Sequence, residues 1–276
     1  MTSRATRRNV VEMDTTPTGV RSGHIAVEHV THRYVDGNTG EGQLAIQDVS
    51  FSVSAGEFVC VVGASGSGKS TILQLLAGLL KPTEGTVSVG GARVTGPGRD
   101  RGVVFQDYAM LPWKTVLENV ALGPKLAGAS KKERHEIARK NLQLVGLEDV
   151  EKKYPHELSG GMRQRAAVAR TLAADPQVIL MDEPFAAVDA QTRAVLQEEL
   201  VRIWAATGKT VLFITHSVEE SVFLADRVIV LSSHPGTVRE EILIPTPRAE
   251  RVAEAPTPQD AALGSRVLAA IRSDRT

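Results

Sequence analysis

The sequence is poor in three features that would indicate a particular compartment or partner: cysteine, an excess of one charge, and long apolar runs. Cys60 is the single cysteine, so no disulfide can form within the chain, as is usual in a reducing compartment. Lys plus Arg and Asp plus Glu both number 32. Nucleic-acid binders usually carry a basic excess or a basic stripe, so we expect no nucleic-acid partner.

Membrane-directing segments are also missing from the sequence. No apolar stretch reaches the ~20 residues that are needed to span a bilayer. The first eight residues, MTSRATRR, are basic but have no apolar segment behind them, which predicts that they are not a secretory signal. If the protein serves a membrane process, we therefore expect another chain to supply the membrane part.

The pattern of apolar residues predicts an α/β fold. Residues 25–35, 44–62 and 86–94 combine β-favouring residues with turn signals, which predicts a small antiparallel sheet. Short apolar runs then alternate with helical segments, as is typical of a parallel sheet buried on both faces. These runs are residues 59–62, 103–105, 178–181, 211–214 and 228–231.

The remaining segments suggest additions to this core. Residues 1–22 are polar and aperiodic, which predicts a disordered tail. The region of about 107–175 is mainly helical without a core strand, which indicates an inserted helical subdomain. Residues 245–276 contain several prolines and predict a loose C-terminal extension with a weak helix near 266–271.

Capping residues mark several helix starts. Ser130 with Glu133, and Ser217 with Glu220, fit the capping-box pattern S-x-x-E. Asp189 is expected to cap a long helix. Helices are also predicted over residues 72–80 and 161–174.

Residues 63–70, GASGSGKS, match the phosphate-binding pattern G-x-x-x-x-G-K-[ST] between an apolar strand and a helix. The glycines let backbone N–H groups wrap a phosphate closely, and the helix N-terminus adds positive potential. Lys69 is expected to pair with the β and γ phosphates, and the Ser70 hydroxyl to ligate Mg²⁺. The predicted ATP site comprises Gly63, Ala64, Ser65, Gly66, Ser67, Gly68, Lys69, Ser70 and Thr71.

Two adjacent carboxylates end the apolar run at 178–181. Asp182 and Glu183 point to different sides, because side chains alternate along a strand. Beside a phosphate loop, Asp182 is expected to hold Mg²⁺ or its water shell. Glu183 is then expected to orient and polarise the attacking water.

Polar residues follow two further apolar runs, Gln106 after 103–105 and His216 after 211–214. Ligands of an open parallel sheet bind beyond the C-terminal strand ends. We therefore expect Gln106 and His216 to share one edge of the sheet with Gly63 and Asp182.

A second anion-binding helix start lies far along the chain from the phosphate loop. Ser159 is a candidate N-cap, and Gly160 and Gly161 expose backbone N–H groups behind it. One ATP does not need two such sites from one chain. Two copies that meet head to tail would each use this helix start to close the nucleotide of the other.

With these motifs, the sequence resembles ABC transporter ATPase subunits over about residues 23–244. The resemblance implies a P-loop NTPase fold with a parallel-sheet core, an antiparallel β subdomain and an inserted helical subdomain. It identifies LSGGM at 158–162 as the signature motif, which binds the γ-phosphate in trans. It also implies that Gln106 contacts Mg²⁺ and couples to the membrane subunit.

The same resemblance assigns three further residues. Asp189 matches the D-loop aspartate, His216 the switch histidine that contacts the γ-phosphate, and Tyr34 the aromatic that stacks on adenine. For Asp189 and Tyr34 an ordinary helix cap and a half-buried strand tyrosine are the alternative interpretations.

Three positions depart from the family pattern. Ala186 and Val188 replace the usual Gly or Ser and Leu before Asp189, and Ser217 replaces the Asp common after the switch histidine. None of them removes a chemical group that hydrolysis needs, so we expect an active ATPase.

Residues 103–113 and 224–228 look most like the nitrate, sulfonate and taurine importer branch. That resemblance implies a second copy of the chain, integral-membrane permease subunits and a separate substrate-binding protein as partners. It implies a peripheral location on the cytoplasmic face of the membrane. Tyr108, Leu111 and Trp113 are expected either to line the groove for the permease or to pack the helical subdomain.

Other functions remain open at this point. One is a soluble ABC ATPase in translation, repair or cluster assembly, although one P-loop and no sustained heptads fit it less well. Another is a non-hydrolysing module that uses ATP as structural glue, which intact Glu183 and His216 disfavour. GTPase and kinase functions leave the motif at 158–162 unexplained.

Overall fold

A computed structural model describes residues 23–35, 42–186, 188–247 and 257–273, so the predicted disordered tail at 1–22 lies outside the described residues. The expected small antiparallel sheet is present, with strand order β2-β1-β4-β5. Its strands are β1 (Ile25–Val35), β2 (Gly42–Val53), β4 (Glu84–Val89) and β5 (Ala92–Arg93).

A second sheet of six strands forms the centre of the fold, in the order β10-β9-β3-β8-β7-β6. All pairs from β9 to β6 are parallel, and β10 adds an antiparallel edge. The sequence did not predict β10, because its residues VREEIL alternate poorly and only one of them is buried. The strands are β3 (Phe58–Gly63), β6 (Arg101–Val104), β7 (Val178–Asp182), β8 (Thr210–Ile214), β9 (Arg227–Leu231) and β10 (Val238–Leu243).

The helices fall largely where the sequence predicts them, and the chain between β6 and β7 contains only helices, turns and loops. None of the helices in the described ranges combines the length and the apolar character that a membrane span requires. The helices are α1 (Lys69–Ala77), α2 (Val116–Val120), α3 (Leu122–Leu126), α4 (Lys131–Leu144), α5 (Gly160–Ala173), α6 (Ala190–Thr207), α7 (Val218–Leu224) and α8 (Pro258–Arg272).

Hydrophobic cores cover both faces of the six-stranded sheet. Along β3, Phe58, Cys60 and Val62 point into one core, and Val59 and Val61 point into the other. This alternation explains why the strand is apolar throughout. Cys60 is fully buried, as a small apolar residue would be.

Helix ends confirm some capping predictions and correct others. Ser130 and Glu133 form the full capping box of α4. At α7, Ser217 caps as expected, but Glu220 does not complete a box because its buried carboxylate accepts a hydrogen bond from Thr215 Oγ1 (2.5 Å). Helix α1 is shifted toward the phosphate loop and ends at Gly78, whose left-handed φ of 76° closes the helix before Pro82 can.

The C-terminal helix is longer than the weak helix expected at 266–271. Thr257 and Asp260 form a capping box that starts α8 at Pro258. Val267 and Ala270 are buried in the larger core, and Arg266 pairs with Glu240 of β10. The expectation of a loose tail was wrong for this segment, because burial of these side chains stabilises a helix that its sequence alone indicates only weakly.

Candidate nucleotide-binding site

The phosphate loop joins β3 to α1 through two left-handed glycines, Gly66 (φ 82°) and Gly68 (φ 81°). A Cβ on Gly68 would lie only 2.2 Å from Ile46 Cγ2, so no larger residue fits there. The two glycines let the backbone form a tight turn, the kind of loop whose N–H groups bind a phosphate.

Lys69 is buried inside this curl. Its Nζ donates hydrogen bonds to the carbonyl oxygens of Gly63 (2.9 Å) and Ala64 (3.0 Å). Burial lowers the pKa of Lys69, and the nearby carboxylates of Glu183 and Asp182 oppose this shift. An ammonium group with few water contacts is well placed to pair with an anion.

An open cavity of about 510 Å³ lies over the loop. It is large enough for a nucleotide-sized ligand, since small-molecule sites have volumes of roughly 300–1,000 Å³. Its lining comprises Tyr34, Gln43, Leu44, Ala45, residues 65–71, Glu183, His216 and His234.

Asp182 lies at the end of β7, beside the start of α1. Its Oδ1 accepts a hydrogen bond from Ser70 Oγ (3.4 Å). Burial, and then the charge of Glu183, raise the pKa of Asp182, while Ser70 and Lys69 act in the opposite direction. In the described ranges no group of three or more His, Cys, Asp or Glu residues is arranged to hold a metal ion.

The hydroxyl and carboxylate oxygens of Ser70 and Asp182 are hard ligands of the kind that Mg²⁺ prefers. Protein sites for Mg²⁺ often supply only one or two such groups and leave the remaining positions to water and substrate phosphates. The two side chains therefore fit a magnesium site that a bound nucleotide completes.

Glu183 and His216 meet across the ends of β7 and β8. Nδ1 of His216 lies 3.0 Å from Oε2 of Glu183. Glu183 also has a left-handed backbone (φ 42°), and its N–H bonds the carbonyl of Ile214 (3.0 Å). A non-glycine residue in this conformation is under strain, which is common at functional sites.

Gln106 lies on the same edge of the sheet, as expected, but outside the cavity. It is exposed in the turn after β6 and does not contribute to the cavity lining. The next residues include two in left-handed conformations, Tyr108 and Ala109, whose carbonyl oxygens both accept hydrogen bonds from Arg170 of α5.

Tyr108, Leu111 and Trp113, in and after this turn, have different surroundings, and Leu111 is half-buried. Tyr108 is buried in the larger core, whereas 71% of Trp113 is exposed. The sequence left open whether they pack the helical subdomain or form an outer surface. Tyr108 has the first role, and Trp113 stands on the surface.

The residues predicted to form the signature motif and the D-loop come together, but away from the cavity. Ser159 caps α5 by accepting from Met162 N, and Asp189 caps α6 by accepting from Thr192 N. A Cβ on Gly161 would lie 2.9 Å from Thr192 Cγ2, so the two helix starts are in contact. Ser159, Gly160, Gly161 and Asp189 are all missing from the cavity lining.

Tyr34 borders the cavity from β1. Its hydroxyl lies 3.2 Å from Thr71 Oγ1, and its ring packs edge-on against the buried His32 with centroids 4.8 Å apart. These contacts fix the position of a partly exposed aromatic ring, which leaves a surface for a flat group to stack on.

Sequence reasoning missed His234, which also lines the cavity. The residue follows β9, a parallel strand like those before Gly63, Gln106, Asp182 and His216. The apolar run at 228–231 was recognised, and the rule that ligands bind at C-terminal strand ends would have found His234 if applied to it.

Comparison with known proteins agrees with this arrangement. A family model described as "ABC transporter" matches residues 46–186. The nitrate import ATP-binding protein NrtD of Synechocystis sp. is 55% identical over 207 residues, covering 75% of this chain and 78% of NrtD. The taurine import ATP-binding protein TauB of Escherichia coli is 48% identical over 213 residues, covering 77% of this chain and 82% of TauB.

Solved structures show the same relationship. A dimeric ATP-binding cassette in a post-hydrolysis state, bound to ADP and Pi, superposes with a TM-score of 0.70 and 34% identity. The match covers 80% of this chain and 99% of that cassette. The cavity over the phosphate loop is large enough for a nucleotide, and the relatives share about half of their residues with this chain. The chain therefore belongs to the ATP-binding proteins of the ABC transporter family and is an ATPase.

Proposed function

We propose that this chain is the ATP-hydrolysing motor subunit of an ABC importer. One observation carries the proposal: a single cavity joins the phosphate loop and Lys69 to the Glu183–His216 pair. Ser70 lines this cavity, and its hydroxyl donates a hydrogen bond to Asp182, which is itself outside the lining. The relatives named as nitrate and taurine import proteins support the importer assignment.

Each of these residues has a role in the proposed hydrolysis. The loop N–H groups and Lys69 hold the β and γ phosphates. Ser70 and Asp182 would hold Mg²⁺, which neutralises charge on the phosphates when bound. Glu183 accepts a proton from the attacking water, and His216 orients the Glu183 carboxylate while it contacts the γ-phosphate. Tyr34 and Thr71 border the nucleotide on the side of α1.

Gln106 has a different place in the proposal. Gln106 is exposed in the turn after β6 and does not line the cavity, so we propose that it reaches Mg²⁺ when this turn moves inward. Such a movement would also shift the exposed Trp113 and its neighbours. This is how we propose that nucleotide occupancy is transmitted to a membrane subunit docked on this surface.

The second half of the nucleotide site is proposed to come from another copy of the chain. The starts of α5 and α6 carry exposed capping residues, Ser159 and Asp189, that do not reach the cavity of their own chain. In a head-to-tail dimer they would close the cavity of the other copy, with N–H groups of Gly160 and Gly161 directed at the γ-phosphate. The dimeric state of the related cassette supports this arrangement.

The remaining partners follow from the importer assignment. Integral-membrane permease subunits would carry the transport path, and a separate substrate-binding protein would select the cargo. The chain would lie peripherally on the cytoplasmic face of the membrane. The relatives suggest a small anion, such as nitrate, a sulfonate or taurine, as the cargo.

Replacing Asp182 with Asn should weaken MgATP binding by at least about tenfold, because one charged metal ligand is lost. Binding of ATP in the presence of EDTA should stay close to that of the wild type, since the phosphate loop is unchanged. Isothermal titration calorimetry with and without the metal measures both. Equal loss under the two conditions would contradict a metal-binding role for Asp182.

Glu183→Gln should reduce ATP turnover by about 100-fold or more, because the amide cannot accept a proton from water. ATP binding should persist. Phosphate-release assays measure turnover, and light scattering on a sizing column measures mass. Turnover at the wild-type rate would show that another group activates the water.

The Glu183→Gln protein should also shift from monomer to dimer with MgATP, and adding Ser159→Arg should prevent this shift while ATP binding remains. A large side chain at this helix start would block closure over the other copy. Ser130→Arg is the matched control, because Ser130 is also an exposed N-cap serine. Dimerisation that survives Ser159→Arg would rule out the head-to-tail arrangement.

Uptake measurements in cells test the importer role. Deletion of the gene should abolish ATP-dependent uptake of one small anion, which labelled nitrate, taurine and an alkanesulfonate would identify. The wild-type gene should restore uptake, and the Glu183→Gln gene should not. Unchanged uptake of all three would remove the proposed cargo class, and copurification with ribosomes or DNA would favour a non-transport ATPase.

A further inference from the structure

The loop between β9 and β10, residues 232–237, packs directly against the phosphate loop. Gly236 donates a hydrogen bond to the carbonyl of Ala45 (3.0 Å) and accepts one from Gln47 N (2.9 Å). A Cβ on Gly236 would lie 2.2 Å from the carbonyl oxygen of Ser67. The contact is thus too close for any side chain, and the two loops hold each other in position.

Internal hydrogen bonds close the loop at its base. Ser232 Oγ lies 2.7 Å from Thr237 Oγ1 and accepts from Thr237 N (3.0 Å). The backbone N–H of Ser232 in turn donates to the carbonyl of Thr237 (3.0 Å). These bonds fix the base of the loop, and of the residues between Ser232 and Thr237 only His234 lines the cavity.

His234 is at the tip of this loop, with a left-handed backbone (φ 59°). Its Nε2 lies 3.5 Å from the position that a Cβ on Gly66 would occupy, so the imidazole lies next to the phosphate loop. The ring also lines the same cavity as Lys69 and Ser70.

Strand order places the phosphate loop between two imidazoles. β3 lies between β8 and β9, so His216 after β8 and His234 after β9 approach the cavity from opposite sides. His216 is paired with the Glu183 carboxylate (3.0 Å). His234 instead faces a loop whose N–H groups and lysine attract anions.

We propose that His234 is a nucleotide-binding residue that donates an imidazole N–H to a phosphate oxygen of ATP and ADP. The proposal rests on the proposed use of this cavity for nucleotide. An imidazole near polyphosphate adds a donor from the side of the loop opposite to His216. His234 would therefore bind the phosphates in a single copy of the chain, before a second copy closes over the nucleotide.

His234→Asn is the most direct test, because Asn tolerates a left-handed backbone but is too short to reach the cavity. His29→Asn is the matched control: His29 also has a left-handed backbone (φ 51°), but it pairs with Asp48 on the antiparallel sheet, outside the cavity. Calorimetry measures MgADP and MgATP binding to the full chain. The ¹⁵N signals of the imidazoles, recorded while MgADP is added, report contact at each ring.

We expect His234→Asn to weaken binding of both nucleotides by about tenfold to 100-fold, as for the loss of one hydrogen bond to a charged group. His29→Asn should change either affinity by less than about twofold, below the effect of losing one typical hydrogen bond, because His29 does not line the cavity. The His234 ring signals should move on addition of MgADP, and those of His29 should not.

Unchanged affinity in His234→Asn would overturn the inference and leave the motor function intact, provided that the wild type binds nucleotide. Weaker binding with unmoved His234 ring signals would also overturn it, because the effect would then act through the loop backbone. A wild-type chain that binds neither nucleotide would overturn both this inference and the proposed function.

Discussion

Backbone hydrogen bonds between β3 and its two parallel neighbours hold the phosphate loop at the centre of the site. Val61 pairs with Ile214 of β8, and Gly63 pairs with Leu231 of β9, so the three strands end at nearly the same height. The loops that follow therefore start side by side. A slip of one residue in β3 would exchange the side chains of its two faces between the two cores, and packing on both faces excludes it.

The site built on this edge contains charges that are poorly accommodated in the free chain. Burial lowers the pKa of Lys69, and burial together with Glu183 raises the pKa of Asp182. Glu183, the residue after Asp182, has a strained left-handed backbone. A bound nucleotide with its metal would place opposite charges against both Lys69 and Asp182. Burial disfavours the charged forms of Lys69 and Asp182 in the free chain, and a nucleotide with its metal would stabilise both charges.

Helix α5 connects the two parts of the molecule that the proposed mechanism has to link. Its start carries Ser159 and contacts α6, while Arg170 near its end holds the carbonyls of the turn that follows Gln106. A displacement of α5 on dimer closure would therefore reach this turn through charge-assisted hydrogen bonds. The exposed Trp113 lies a few residues further along the same segment.

The sequence by itself determined the features that depend on local signals. The glycine pattern at 63–70, the carboxylates after the run at 178–181 and the capping box at Ser130 are each contained within a few neighbouring residues. The common edge of Gly63, Gln106, Asp182 and His216 also followed, because parallel strands buried on both faces have an unmistakable apolar pattern. The phosphate loop, the two carboxylates and this common edge are the features from which the sequence predicts an ATPase.

Tertiary structure alone decided the features that depend on residues distant in the chain. Glu220 bonds Thr215 instead of completing a capping box, α8 is stabilised by docking on the larger core, and Gln106 stands outside the cavity. His234 belongs to the site because β9 pairs with β3, although the two strands are far apart in sequence. Which distant strands pair, and which side chains then meet, depends on contacts between residues far apart in the sequence, and no short segment contains that information. The strand-end rule makes His234 a candidate, but only the folded chain shows that its side chain lines the cavity.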